Sequence, residues 1–300
     1  MPSIDKLLIV KVILRLAGYL PLPALHAIGF LLGSLFAAFP NDLRRDTRFN
    51  LKLCFPELSE RERKRLLKHA LRETFKAMTE VAAFWQWKPE RLDALVKETR
   101  DLHVLYDAVE KGDGVIVAVP HLGAWELLPI YFSRRIPLHS LYRPPRNIEF
   151  DPLVRSARER LGGHTYPANP RGIRSLYKAL SQGEVAAILP DQEPRGEGVF
   201  APFFGVPAKT MTLLPKLAER SGAAVVYVFA IRLPWGRGYR IQCLPAPEGV
   251  SAADSTVAAT AMNHGIEQCA QEALPQYQWS YRRFRKQPNG GKNRYKKQPR

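Results

Sequence analysis

The chain has 300 residues, enough for one large domain or two modest ones, and its 46% hydrophobic and 24% charged residues exclude wholesale disorder. Lysines and arginines number 45 against 28 aspartates and glutamates, a formal net charge of +17, so an anionic partner is expected: nucleic acid, an acidic membrane surface, an acidic protein or a phosphorylated substrate. Cys54, Cys243 and Cys269 stand far apart, with no CxxC and no Cys/His cluster; this pattern reads as reduced structural thiols in a cytosol-exposed body and argues against a zinc module.

The first element is apolar. "LLIVKVILRLAGYLPLPALHAIGFLLGSLFAAF", Leu7 to Phe39, is interrupted by Lys11, Arg15, Pro21, Pro23 and His26. Lys11 and Arg15 fall on one helical side, as in an interfacial amphipathic helix. The part from Leu22 reaches only the short end of the roughly 17–25 residues that a spanning helix needs. Arg44, Arg45, Arg48 and Lys52 follow at once and would hold their side at the cytoplasmic face. Residues 1–40 are therefore expected to be a membrane anchor, against the alternative of a buried helical hairpin in a soluble domain. No later segment is long and apolar enough to span, which excludes a channel or a polytopic transporter.

From Ser59 the pattern turns helical, opening with Ser59 and Glu62 at capping-box spacing. Leu66, Leu67, Ala70, Leu71, Phe75 and Met78 then recur at three- and four-residue steps. A less regular helical piece is expected over Pro89–Val109. Beyond it, strands and helices alternate. "GVIVAV", "PLHSLY", "EVAAILP", "GAAVVYVFAIR" and "GYRIQCL" read as strands. "AWELLPIYFSRR", "DPLVRSARERLGG", "RGIRSLYKALSQG", "TMTLLPKLAERSG" and Ser255–Ala273 read as helices. The alternation predicts an α/β domain over residues 41–285, with a largely parallel sheet flanked by helices. The tail 286–300 is basic, lacks acidic residues and is expected to be disordered.

Two groups stand out after the first core strand. His121 and Glu126 lie in the apolar run "GVIVAVPHLGAWELLPIY", where an unpaired carboxylate would be costly to bury. Pro120 tends to stop the strand and Gly123 lets the next turn bend tightly. With His121 in that turn and Glu126 in the first turn of the next helix, the two can meet as a general-base dyad, at a strand end where α/β sheets bind ligands. The alternative is a structural histidine beside a helix-capping carboxylate. Arg143, Arg146, Arg155, Arg158 and Arg160 crowd the following block, a residue type suited to bidentate recognition of phosphate or carboxylate; a solvated basic helix face is the competing reading. Asp191 again stands at a strand end. Phe200, Phe203, Phe204 and Pro207 in the next loop could wall an acyl channel or simply pack into the core.

"HLGAWE", "YRPPRN…DPLVRSARERLGG", "LPDQEPRGEGVFAPFFGVPAKT" and "QYQWSYRRFR", in this order, resemble the bacterial lipid A late (secondary) acyltransferases. These are the lauroyl- and myristoyl-transferring branch of the lysophospholipid acyltransferase superfamily. The resemblance runs from the N-terminus to about Arg285. It implies a glycerolipid acyltransferase-like fold, an inner-membrane location with the catalytic domain on the cytoplasmic face, acyl carrier protein as donor, and a Kdo-bearing lipid A precursor as acceptor. The HxxxxD/E pair of that family falls on His121 and Glu126, and an acidic, substrate-binding residue on Asp191. Arg143, Arg146, Arg155, Arg158 and Arg195 would hold the precursor's anionic groups, and Phe203 and Phe204 its acyl chains. Pro120 and Lys209 depart from the family pattern, which touches acyl-chain and acceptor choice. The expected mechanism has His121, oriented by Glu126, take a proton from the acceptor hydroxyl as it attacks a thioester. Backbone N–H groups after His121 or a nearby arginine would then meet the oxyanion. No GxSxG elbow, no cysteine near these blocks and no metal-ligand spacing occur, so direct transfer without cofactor or metal is expected. The rival acceptors are a lysophospholipid, an ornithine lipid or a glycolipid. A nucleic-acid-binding role finds no binding module, and no nucleic-acid partner is expected.

Overall fold

A computed structural model of the chain describes residues 6–145, 147–291 and 293–296. Helices α1 (Lys6–Gly18), α2 (Leu22–Ala38), α3 (Asp42–Cys54) and α4 (Glu60–Gln86) come first, then a short α5 (Pro89–Asp93). Strand β1 (Val96–Arg100) and α6 (His103–Glu110) lead into β2 (Val115–Ala118), α7 (Leu127–Phe132), β3 (Leu138–Tyr142) and α8 (Asp151–Glu159). There follow β4 (His164–Pro167), α9 (Pro170–Ser181), β5 (Val185–Ile188) and the strands β6 (Val199–Phe203) and β7 (Val206–Thr210). The body closes with α10 (Leu213–Ser221), β8 (Ala224–Arg232), β9 (Tyr239–Pro245) and α11 (Ser255–Glu272).

Seven strands form one sheet in the order β1-β9-β8-β2-β5-β3-β4, parallel throughout except for the β8–β9 pair. Both faces are covered. Ile116 and Ala118 of β2 enter one apolar layer with α9, α10 and α11, while Val115, Val117 and Val119 enter the other with α7. This is why "VIVAV" reads as an unbroken apolar run and not as an alternation.

The Ser59–Glu62 capping box forms as expected: the Ser59 side chain takes the Glu62 N–H, and Glu62 takes the Ser59 backbone N–H at 2.8 Å. All three cysteines are buried and free. Within Pro89–Val109, where one helical piece was expected, the chain instead makes α5, the parallel edge strand β1 and α6. The charged strand VKETR carries no apolar alternation, and only its pairing with β9 makes it a strand. Strand β4 and the antiparallel β6–β7 pair likewise occupy segments that read as loops.

The N-terminal helices differ from a simple anchor. Among the described residues no single helix is long and apolar enough to cross a membrane; α2 and α3 pass that test only as a pair, bent by 78°. Helix α2 packs along α4 so closely that a Cβ on Gly33 would lie 2.4 Å from the Arg72 Cα. Its inner face buries Leu22, Leu25 and His26, while Ile28, Phe30, Leu31, Leu32 and Leu35 point outward; α1 likewise exposes Leu8, Ile9, Val12, Ile13 and Leu16. Residues 22–38 are thus built into the body on one side and apolar on the other. At the far end, the described part of the basic tail does not trail away. Tyr295 is buried, its hydroxyl donating to Asn50 Oδ1 at 2.5 Å and its ring meeting Phe49 at 4.8 Å. Residues 297–300 lie outside the described residues.

Candidate active site

Strands β2 and β5 are parallel neighbours with Ala118 opposite Ile188. Each runs one residue further, Val119 or Leu189, and meets a proline, Pro120 or Pro190, which cannot donate to a ladder and ends the pairing. The next residue is His121 on one strand and Asp191 on the other, at equal offsets from a register pair, so the fold sets them side by side. The His121 backbone N–H donates to Asp191 Oδ2 at 2.8 Å, and Nδ1 meets Oδ1 at 2.7 Å. Asp191 is buried at 2% exposure, His121 partly open at 15%. Burial pushes the Asp191 carboxyl up, but the His121 charge and both hydrogen bonds outweigh it and hold the carboxyl below the usual range. In the neutral ring, a carboxylate on Nδ1 assigns that nitrogen the proton and leaves Nε2 with its lone pair. Nε2 meets the Gln192 amide nitrogen at 3.1 Å, and the same nitrogen donates to Gln278 Oε1 at 3.0 Å. The tautomer and the amide orientation follow from this pairing pattern.

Glu126 does not touch the imidazole as the sequence led us to expect. It sits at the N-cap position of α7 and forms a bidentate pair with Arg158 of α8, Nε to Oε2 at 3.1 Å and Nη2 to Oε1. Burial pushes its carboxyl up, but Arg158 outweighs that and leaves it below the usual range, with the His121 charge a smaller contribution in the same direction as Arg158. The orienting carboxylate on His121 is Asp191, which had been expected to hold substrate. The physical reason is register: Asp191 leaves the neighbouring strand at the same level, whereas Glu126 lies beyond a turn that carries it toward α8. Behind Glu126 and Arg158 an apolar slot of about 40 Å³ runs between α7 and the sheet, lined by Trp125, Leu128, Phe132, Ile136, Leu138 and Leu189 among others.

The turn bearing His121 is clamped by backbone bonds on two sides. Ala124 N–H donates to Ala230 O at 2.8 Å, Gly123 N–H to Gln276 O at 3.1 Å, and Gln278 N–H to His121 O at 3.0 Å. Arg232, buried at the end of β8, donates through Nη2 to Gly123 O at 2.7 Å. Its guanidinium also forks onto Glu80 of α4, with Nε to Oε2 at 2.8 Å, and Glu80 accepts from Tyr239 at 2.9 Å and pairs with His26 of α2 at 2.9 Å. Gly123 has φ +58, and a Cβ there would lie 1.9 Å from Ala230 O. Gly123→Ala is therefore expected to cost about 1–3 kcal/mol of stability and to cut activity by displacing the His121 turn, measured by thermal melting and initial rates. A variant with unchanged melting and rate would show that the turn yields freely.

The other expected substrate residues are dispersed. Arg143 is exposed at the end of β3; Arg155 is exposed on α8 and pairs with Glu159 at 3.4 Å. Arg146 lies outside the described residues. Arg195 is exposed in the loop after Asp191. Arg158 is committed to Glu126, and Arg160 binds the α4 terminus through Phe84 O at 2.8 Å and Trp87 O at 2.7 Å. Phe203 and Phe204 pack with Phe55, Tyr277, Trp279 and Phe284 and do not wall the slot; core packing accounts for them. The His121–Asp191 contact does leave a mark in the sequence, which spacing along the chain overlooks: two β-rich runs each end in Pro followed by a chemically active residue, "VAVPH" and "AILPD". Gln192, Gln278 and Arg232 carry no such signal.

The family model described as bacterial lipid A biosynthesis acyltransferase matches residues 1–286 of this chain. The chain is 32% identical over 286 residues to the lipid A biosynthesis lauroyltransferase of Escherichia coli K12, covering 94% of this chain and 92% of that relative. It is 31% identical over 278 residues to the lipid A biosynthesis palmitoleoyltransferase of the same organism, covering 92% and 90%. With the E. coli lipid A biosynthesis myristoyltransferase it shares 26% over 268 residues, covering 89% and 82%.

Proposed function

This chain belongs to the bacterial lipid A biosynthesis acyltransferase family, and from that premise we propose that it moves a fatty acyl chain from an acyl carrier protein thioester to a hydroxyl of an acyl chain on the Kdo-bearing lipid A precursor. It is an acyltransferase; the donor, the acceptor and the residue roles are our reading. The observation that carries this reading is His121, held through Nδ1 by a buried carboxylate, with Nε2 turned to the Gln192 amide. Such a ring takes a proton from the attacking hydroxyl, and Asp191 supports the positive charge that forms. The thiol then leaves, and no enzyme-bound acyl group is needed. Glu126 and Arg158 hold α7 and α8 together beside the apolar slot. Exposed Arg143, Arg155 and Arg195 are available to the acceptor's anionic groups.

The outward apolar faces of α1 and α2, next to Arg44, Arg48 and Lys52, support attachment to the anionic cytoplasmic face of the inner membrane. The overall charge of +17 favours an acidic carrier protein there. The test is the purified full chain in mixed micelles with a series of acyl carrier protein thioesters and the Kdo-bearing precursor, products read by mass spectrometry. One added acyl group, lost in His121→Ala, is expected. Acylation of a lysophospholipid but not of the precursor would overturn the acceptor assignment.

A further inference from the structure

A base of this kind needs a partner that meets the oxyanion, and the turn residues nearest His121 do not provide it. The N–H groups of residues 121 to 124 are each already given away: His121 to Asp191, Leu122 to Pro120 O at 2.7 Å, Gly123 to Gln276 O and Ala124 to Ala230 O. The arginines nearest the turn are also committed, Arg158 to Glu126 and Arg232 to Glu80 and Gly123 O. The donor that stands at the reacting nitrogen is the Gln192 side-chain amide, 3.1 Å from Nε2.

We propose that Gln192 is a catalytic residue of the transfer: its amide caps the His121 Nε2 lone pair in the free enzyme and donates to the oxyanion during reaction. The proposal rests on the acyl-transfer reading above. The acceptor oxygen must come within hydrogen-bond reach of Nε2, the space that the Gln192 nitrogen now occupies. Binding therefore displaces the amide from Nε2. Gln278 Oε1 keeps one N–H at 3.0 Å, and Gln278 is itself fixed through its backbone N–H to His121 O at 3.0 Å. The freed N–H remains beside the reaction centre.

In the step itself the hydroxyl proton goes to Nε2, the new C–O bond forms, and the carbonyl π pair moves to oxygen, where the Gln192 N–H receives it. Collapse restores the carbonyl, breaks the C–S bond and sends the Nε2 proton to the departing sulfur. The products are an ester and a thiol, and the base is regenerated. In the free enzyme the same amide holds Nε2 as an acceptor, the tautomer that the reaction requires.

The experiment compares wild type, Gln192→Ala and the isosteric Gln192→Glu as full-length chains in mixed micelles, with acyl carrier protein thioester and the Kdo-bearing precursor. Melting by circular dichroism checks the fold of each variant, and the isosteric change guards against collapse of the Ala variant. Both substitutions are expected to lower kcat by about 100-fold with KM for either substrate nearly unchanged, the signature of a contact made only in the transition state. A fall in kcat of less than about tenfold in a folded variant overturns the proposal while leaving the acyl-transfer reading intact. Failure of the wild type to transfer any acyl chain overturns both.

Discussion

Asp191→Asn is expected to lower kcat by about four orders of magnitude while leaving the fold intact, as for a triad carboxylate changed to its amide. Two donors from one residue converge on Asp191, the His121 backbone N–H and the imidazole Nδ1–H, and a carboxylate has an acceptor oxygen for each. An amide has only one. The backbone N–H is always a donor, so Asn must turn its oxygen there and its NH2 toward Nδ1. The imidazole proton then moves to Nε2, and the base is lost. Glu126→Gln keeps a hydrogen bond to Arg158 and does not change the tautomer, so its loss in kcat should be much smaller. Steady-state kinetics of the two variants decide which carboxylate serves the histidine. If Glu126→Gln is the crippled one and Asp191→Asn is active, the orienting role assigned to Asp191 is wrong.

Glu80→Ala is expected to destabilise the protein by about 3–5 kcal/mol, because it strips a buried arginine of its main counter-ion. Arg232 would keep the Gly123 carbonyl and, as a counter-ion, Glu73 at 3.5 Å, and Tyr239 and His26 would lose their shared acceptor. The double variant Glu80→Leu, Arg232→Met removes both charges and should cost less stability than Glu80→Ala, though it frees the Gly123 carbonyl and lowers activity. Chemical denaturation measures both, and equal stability of Glu80→Ala and wild type would show that the pair contributes nothing. The same carboxylate gives a pH dependence. Burial pushes it up, but Arg232 and His26 bring it from 4.5 down to about 2. A folded-state value below the unfolded one means that the unfolded chain binds more protons in this interval. Stability is then fully present above about pH 4.5 and is lost as pH falls toward 2. Asp191 and Glu126, also depressed, add with the same sign.

His26 and Arg232 are more than 200 positions apart, yet both bind one carboxylate of α4. The same unit ties the inner face of α2 to a carbonyl of the His121 turn. Nothing local signals this: Arg232 ends an apolar strand and Glu80 lies in an amphipathic helix. Each reads as surface charge until the helices are packed.

Periodic features were legible in the chain itself. The strands 115–118, 185–188 and 224–232 follow from short unbroken apolar runs, the helix from Glu60 from its capping box and 3.6-residue repeat, and the α/β alternation from their order along the chain. So did His121, a titratable group directly after a buried strand. Its carboxylate partner was marked only by the matching Pro-Asp strand end; spacing along the chain favoured Glu126, the nearer acid, whereas strand order brings Asp191 from 70 positions away. Nor was the strand character of "VKETR", which exists only as an edge beside β9. Local propensity acts through neighbours along the chain, but hydrogen-bond partners and buried charge pairs are chosen across the sheet. Only the packed structure, where burial penalises every unpaired donor and charge, decides which of the available residues meet.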